Sequence, residues 1–476
     1  MAKKYKMYLG GRWVDRKNKI RVESPYDNHH VADVAAAGAE DYTEAIAIAN
    51  DAFAITRDLP AYKREQTLLH IAAGIEKNLD KYARMMAEEL GKCLKDCRIE
   101  IGRSVGVFRV AAEEAKRIGG EIIDMDWAPG GENRMGLIRR FPKGVIAGIS
   151  PFNWPMNMVA HKLAPAIASG NTIVLKPASA TPISALVLAE LLDKTDHPKG
   201  AVSILPGSSR DSSPLLDDPR VKLITFTGSS QTGWWIRANS GSKAVVLELG
   251  GNAGVVIADD ADLDFATTRL LYGGFASAGQ SCISVQRVFV HDKVYDKFLR
   301  MYKSKINKLI TGDPLDEKTD VGCMVTREAA EKTIESIKAA VAGGARILTG
   351  GKLDGASLQP TVLTNAKVSM DVCTKEAFAP FVVVFKYKSF QKAVDEVNNS
   401  EYGLQAGIFT NRMDDIFYAY KHIECGGVVV NDIASYRADH QPYGGLKNSG
   451  LGREGIRYSI EDMTDLKILS MRLKTK

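Results

Sequence analysis

The chain has 476 residues, 45% of them hydrophobic and 25% charged, a balance that excludes a disordered or fibrous protein and leaves room for two or three cores at roughly 150 residues per domain. Lysines and arginines number 63 against 57 aspartates and glutamates, a formal charge of +6. The two signs are interspersed except in the short tail Arg472-Leu473-Lys474-Thr475-Lys476, so no nucleic-acid partner is expected.

No apolar run reaches the ~18 residues of a membrane helix. The start, Met1 to Arg12, lacks the apolar core of a signal peptide, and the 6 cysteines are too scattered for a disulfide scaffold. A cytoplasmic protein with free thiols and no membrane partner is the expectation.

Tyr42 to Phe53, Arg64 to Leu79 and Ile101 to Ile118 carry apolar residues at three- and four-residue spacing, which predicts a helical layer. Two strand-like segments follow, Glu121 to Met125 and Arg134 to Phe141, around the Gly/Pro-punctuated stretch from Trp127 to Asn133. They read as a hairpin that bridges subunits, joined by a strand-like stretch from Leu466 to Leu473. From residue 145 short β-rich runs appear at Val145–Ile149, Thr172–Leu175, Val202–Leu205, Leu223–Phe226 and Val245–Leu249, with helical stretches such as Met156–Ser169 and Ile183–Leu192 between most of them. This alternation predicts a parallel, doubly wound sheet. A second set, at Val255–Ile257, Val288–Val290, Val382–Phe385, Ala406–Phe409 and Val428–Asn431, has helices near Tyr295–Leu309 and Glu328–Gly343 and predicts a second α/β domain.

Gly450-Leu451-Gly452-Arg453-Glu454-Gly455 fits the dinucleotide fingerprint G-x-G-x-x-G, but no predicted strand precedes it and too little chain follows for a βαβ unit, so its glycines are expected to mark a tight loop. Gly228-Ser229-Ser230-Gln231-Thr232-Gly233 is better placed, directly after a strand and opening a helix, where backbone N–H groups can cradle a pyrophosphate; an ordinary βα turn is the equal alternative. Cys282, in Ala278-Gly279-Gln280-Ser281-Cys282, taken alone suits a small core residue better than a nucleophile. Glu248 ends an apolar strand, where burial raises a carboxyl toward general-base range. Asn153, after Val145–Ile149, and Lys176, after the next strand, lie where open sheets bind ligands. Cys93 and Cys97 lack a second ligand pair and no His-Glu-x-x-His occurs, so no metal site is expected.

Taken together, these segments resemble the aldehyde dehydrogenase superfamily nearly end to end, from Tyr8-Leu9-Gly10-Gly11-Arg12-Trp13 to Pro442-Tyr443-Gly444-Gly445-Leu446-Lys447-Asn448-Ser449-Gly450. The most diagnostic pieces are Pro151-Phe152-Asn153-Trp154-Pro155, Leu247-Glu248-Leu249-Gly250-Gly251-Asn252, Gly279-Gln280-Ser281-Cys282 and Glu376-Ala377-Phe378-Ala379-Pro380. The resemblance implies an α/β protein with a Rossmann-like, doubly wound cofactor domain (1–119 and 143–247), an α/β catalytic domain (248–445) and small bridging or oligomerisation segments (120–142 and 446–476). A homodimer or homotetramer is implied as well.

By the same resemblance Cys282 is the nucleophile, Glu248 the general base, and Asn153 with the Cys282 N–H the oxyanion hole, while Glu454 matches an acidic position near the proton path. The reaction implied is NAD(P)-dependent oxidation of a small aldehyde to the acid through a cysteine thiohemiacetal and thioester. Phe152, Lys176, Ser179, Gly207, Gly228, Ser229, Glu376 and Phe378 fall to the cofactor, and Trp154 and Arg437 to the substrate. Ser179 stands where many NAD-preferring relatives carry Glu, which favours NADP over NAD. The loop from Asp432 to Tyr443 resembles that of lactaldehyde- and glycolaldehyde-oxidising members and some that take small acidic aldehydes; Arg437 either clamps the substrate or pairs with Asp439. Ser281 in place of Arg counts against a phosphate-bearing substrate. The competing readings are a catalytically silent relative and a coenzyme A-acylating one, the latter disfavoured by Glu248.

Overall fold

In the computed structural model residues 3 to 473 are described; the first two residues and the end of the basic tail, 474 to 476, lie outside the described residues. Two large sheets organise the chain. The first has eight strands in the order Gly450–Leu451, Ala244–Glu248, Val221–Thr227, Val145–Ile149, Thr172–Lys176, Val202–Ile204, Met7–Leu9 and Arg12–Val14. Its five central strands are parallel, as their buried Val/Ile/Leu runs require when helices cover both faces. The chain runs from Val145–Ile149 outward to 172–176 and 202–204, then returns to the other side at 221–227. The strand order therefore reverses beside Val145–Ile149, which opens a crevice at the carboxyl edge.

Helices Ala39–Thr56, Ala61–Lys77, Leu94–Glu114, Pro155–Ser169 and Pro182–Leu192 form the layers against this sheet. Pro155 and Pro182 start their helices, where the missing N–H costs nothing, and Gly170 ends the first of them with a φ of 81°. The periodicity expected from Arg64 to Leu79 breaks at Asn78, whose side-chain amide donates to the Gly74 carbonyl, 2.8 Å; a separate helix, Leu79–Leu90, begins there and was not predicted from the sequence.

The second sheet has seven strands in the order Arg346–Thr349, Thr361–Thr364, Phe381–Tyr387, Val285–His291, Ala253–Ile257, Gln405–Phe409 and Gly427–Val430, all parallel but the first. Thus the predicted α/β class holds for both halves. The hairpin expected at 121–141 is present as Gly120–Asp124 and Arg134–Pro142, and Thr464–Arg472 pairs antiparallel with the second strand over nine residues. Gly450-Leu451 is more than a tight loop: it pairs antiparallel with Leu247 and Glu248 as the edge strand of the first sheet. No helix among the described residues is long and apolar enough to cross a membrane.

Candidate active site

The parallel register sets Ile149 beside Lys176, Phe226 beside Ile149, and Thr227 beside Glu248, so four strand ends reach one edge together. A cavity of about 390 Å³ opens there, lined among others by Phe152, Asn153, Trp154, Gly228, Ser229, Glu248, Cys282, Glu376, Phe378, Arg437 and Glu454. Segments separated by some 300 residues meet because the Cys282 loop, just before the strand Val285–His291 of the second sheet, faces the carboxyl edge of the first.

That loop is held in a costly shape. Ser277, Ala278 and Gly279 are all left-handed, with φ of 52°, 53° and 68°, a conformation that costs about 1–2 kcal/mol for each residue bearing a Cβ. Asp96 accepts from the Ser277 N–H at 2.8 Å, the Asn153 amide donates to the Gln280 carbonyl at 2.9 Å, and the Gln280 side chain accepts from the Val325 N–H at 2.9 Å. A Cβ on Gly251 would stand 2.1 Å from the Cys282 carbonyl oxygen, so only glycine lets the segment after Glu248 pass this close to the cysteine backbone.

Cys282 is pushed up to about 12, chiefly by burial, and its Sγ lies 3.1 Å from the Tyr443 hydroxyl. Asn153 keeps a second amide hydrogen beyond the one given to Gln280, and the Cys282 backbone N–H donates to no backbone carbonyl among the described residues. Two donors thus stand ready for an oxyanion.

Both Glu248 oxygens are buried without a partner. Burial drives this carboxyl well above its ordinary 4.5, and the neighbouring Glu454 charge adds to the effect. Glu454 goes the other way, down to about 2, because Lys162 at 3.3 Å and Arg437 at 3.1 Å overcome its own burial. Two carboxyls in one cavity are thereby driven apart, one kept for taking a proton and one kept charged.

Arg437 does not pair with Asp439. That carboxylate is taken by Arg103, 2.6 Å, and His161, 3.0 Å, and Arg437 binds Glu454 while stacking 3.7 Å over the Tyr443 ring. The Arg437 Nε is buried with no acceptor. Trp154 packs between the Lys92 ammonium, 3.7 Å from the ring centroid, and Arg103 at 5.3 Å.

Of the remaining predicted residues, Phe152, Gly228, Ser229, Glu376 and Phe378 line the cavity, whereas Lys176, Ser179 and Gly207 are not among its lining residues. Lys176 ends its strand buried, its pKa pulled down by desolvation with no charge offsetting it, and Ser179, exposed, donates to the Gly207 carbonyl at 3.1 Å. Ser229 caps the helix Ser230–Asn239, its side chain accepting from the Thr232 N–H, and with Gly228 lines the cavity at this helix N-terminus. Phe378, left-handed at φ 47°, meets Phe152 edge-on at 5.7 Å. Burial raises Glu376 to about 7; one oxygen accepts from the Gly251 N–H, and a Cβ on Gly250 would fall 2.5 Å from the other. A helix N-terminus, an isolated cation and a carboxylate in a glycine-lined cradle suit the phosphates and riboses of a dinucleotide. Among the described residues no cluster of three metal-ligating side chains occurs.

Arg103, His161, Lys162 and Tyr443 were not singled out from sequence, and Asp439 was named only as a partner for Arg437. Lys162 alone left a signal there, as a charge within the apolar helix Pro155–Ser169, all of whose residues are buried.

The sequence model of the aldehyde dehydrogenase family matches residues 13–469. A 3-sulfolactaldehyde dehydrogenase of Priestia aryabhattai is 43% identical over 473 residues, 99% of each chain. Aldehyde dehydrogenase 21 of Physcomitrella patens, solved with its reaction product succinate, superposes with a TM-score of 0.98 at 43% identity over 99% of each chain. The glyceraldehyde-3-phosphate dehydrogenase of Methanocaldococcus jannaschii, solved with NADP, superposes at 0.92 with 36% identity, over 96% of this chain and all of the other.

Proposed function

This chain belongs to the aldehyde dehydrogenase family, and from that we propose that Cys282 attacks a short aldehyde carrying a remote carboxylate or sulfonate, with NADP the preferred hydride acceptor. The class of reaction follows from the family: oxidation of a small aldehyde with a nicotinamide cofactor.

The observation that carries the substrate reading is the buried Arg437 Nε with no acceptor, in the wall of the cavity that also holds Cys282. A substrate oxygen anion supplies what that donor lacks, and Arg103, paired with Asp439, also lines the cavity. One relative is a 3-sulfolactaldehyde dehydrogenase and another was solved with its reaction product succinate, both compounds short and anionic, which supports the same class.

Attack by the Cys282 sulfur places negative charge on the aldehyde oxygen, which Asn153 and the Cys282 N–H stabilise. A nicotinamide held by the cofactor residues would supply the hydride acceptor. Glu248 then removes a proton from the water that cleaves the thioester, and Glu454 stays charged beside Lys162. Lys176, Ser179, Gly207, Gly228, Ser229, Glu376, Phe152 and Phe378 hold the dinucleotide, and Ser179 leaves room for a 2′-phosphate beside Lys176. The assignment of 1–119 and 143–247 to the cofactor, 248–445 to catalysis, and 120–142 with 446–476 to a homodimer or homotetramer is part of the proposal.

Initial rates with NAD and NADP across succinate semialdehyde, 3-sulfolactaldehyde, lactaldehyde and glycolaldehyde test it. Turnover is expected to vanish in Cys282→Ala. Arg437→Lys, which keeps the charge but loses the planar fork, is expected to raise KM for the anionic aldehydes about tenfold and to leave lactaldehyde nearly unchanged. Equal kcat/KM for neutral and anionic aldehydes would sink the substrate reading; preference for NAD would sink the reading of Ser179.

A further inference from the structure

Tyr443 is buried against the reacting sulfur. Its hydroxyl lies 3.1 Å from the Cys282 Sγ, its ring packs with Ile283 and Leu404, and the Arg437 guanidinium covers one face at 3.7 Å. The backbone fixes this placement: Tyr443 exchanges two hydrogen bonds with Glu454, 2.9 Å and 2.6 Å, and a Cβ on the following Gly444 would stand 3.0 Å from the Glu248 carboxyl. One short segment thus holds the hydroxyl at the nucleophile, tied to the Glu454 backbone and passing close to the Glu248 carboxyl.

We propose that Tyr443 is a catalytic residue of the aldehyde oxidation, its phenol donating a hydrogen bond to the Cys282 thiolate and so setting how much nucleophile the site holds. The inference rests on the reading of Cys282 as the nucleophile. With a neutral thiol either atom can donate; with a thiolate only the phenol can, and a hydrogen bond to an anion is about twice as strong as a neutral one. The same bond serves thioester cleavage: water oxygen bonds to the carbonyl carbon, its proton goes to Glu248, and the C–S bond breaks with its electron pair passing to Sγ, where the phenol meets the new charge.

The groups facing Cys282 come from every segment around it. Glu248 and Glu376 oppose the thiolate, as burial does, whereas Arg437 and the Tyr443 hydroxyl favour it. The phenol itself is raised well above 10 by burial and then by Cys282, so it keeps its proton wherever the enzyme works. Arg437 already answers to Glu454. The tyrosine hydroxyl is therefore the one neutral donor in contact with the sulfur among the described residues.

The test is the rate at which iodoacetamide alkylates Cys282 in the full chain, followed between about pH 7 and 9.5, well below the thiol's raised pKa, so that rate tracks thiolate fraction. Cys282→Ala identifies the thiol being read. Tyr443→Phe keeps the ring under Arg437 and removes only the hydroxyl; Tyr443→Leu removes the ring too. Loss of one pH unit of thiolate stabilisation corresponds to about tenfold slower alkylation throughout that range, with a parallel fall in kcat. Tyr443→Leu is expected to alkylate as slowly as Tyr443→Phe while also losing thermal stability, which separates the hydroxyl from the ring. Alkylation of Tyr443→Phe at the wild-type rate, with an unchanged thermal transition, overturns the inference while Cys282→Ala remains inactive. Turnover surviving in Cys282→Ala overturns the nucleophile reading and this inference with it.

Discussion

In the helical layer beneath the first sheet, Glu100 is 0% exposed and each of its oxygens is engaged: one accepts from the Lys92 ammonium at 2.7 Å, the other from the Met156 and Asn157 N–H groups at the start of the helix Pro155–Ser169. Glu89 does the same for the helix Pro182–Leu192, accepting from Ile183, Ser184 and the Ser184 hydroxyl. In the cavity, Glu248 is 3% exposed and has no partner on either oxygen. Burial alone therefore does not mark a reactive group. A helix N-terminus supplies aligned N–H donors that complement a carboxylate, whereas the end of the strand Ala244–Glu248 supplies none, and the uncompensated carboxyl is left ready to take a proton.

The contrast breaks most plainly on substitution. Glu248→Gln is expected to lower kcat by about 10²–10⁴-fold, the range for losing a general base, with the fold retained. Its pH behaviour sharpens the point. The folded pKa of Glu248 lies above the ordinary 4.5, so below 4.5 it costs nothing and stability falls as pH rises from there toward the folded value. Wild-type turnover should climb with pH as Glu248 loses its proton. In Glu248→Gln both the turnover limb and that share of the stability loss should disappear, read from pH–rate profiles and denaturant midpoints; an unaltered profile would contradict the assignment.

Glu100→Ala should behave in the opposite manner, losing about 3–5 kcal/mol of stability because Lys92 is left as an unpaired buried charge. Urea unfolding measures this, and a loss below about 1 kcal/mol would mean that the pair is not the support described. Gly251→Ala is the smallest expected change in stability, about 1–3 kcal/mol for a forced backbone shift. It should lower kcat more than it raises KM, since the Cβ displaces the Cys282 carbonyl rather than the walls that touch substrate.

The central strands were legible because short Val/Ile-rich runs between Gly and Pro punctuation do not compete with another pattern: Val145–Ile149 was predicted to the residue and the other predicted runs to within a few positions, whereas the short edge strands Met7–Leu9 and Arg12–Val14 of the first sheet and Arg346–Thr349 and Thr361–Thr364 of the second were not read from the sequence. The motif around Gly450 misled in part. Its glycines do serve close approach, since a Cβ on Gly450 would meet the Leu247 carbonyl at 2.4 Å, but the approach is to a neighbouring strand and not to a pyrophosphate. Arg437 and Asp439 are two residues apart and invited pairing, yet the intervening fold turns them to different partners, Glu454 on one side and Arg103 with His161 on the other.

Local pattern was enough for the alternation of strands and helices, the α/β class and the residues of the motifs, since periodicity and turn chemistry act over a few neighbours. Partnership was another matter. The pairs Lys92 with Glu100 and Asn153, Lys162 with Glu454, and Tyr443 with Cys282 were decided only by tertiary packing. The physical reason is that burial, charge pairing and hydrogen bonding depend on separation in space, and no spacing along the chain encodes which carboxyl is left without a partner or which hydroxyl arrives at the sulfur.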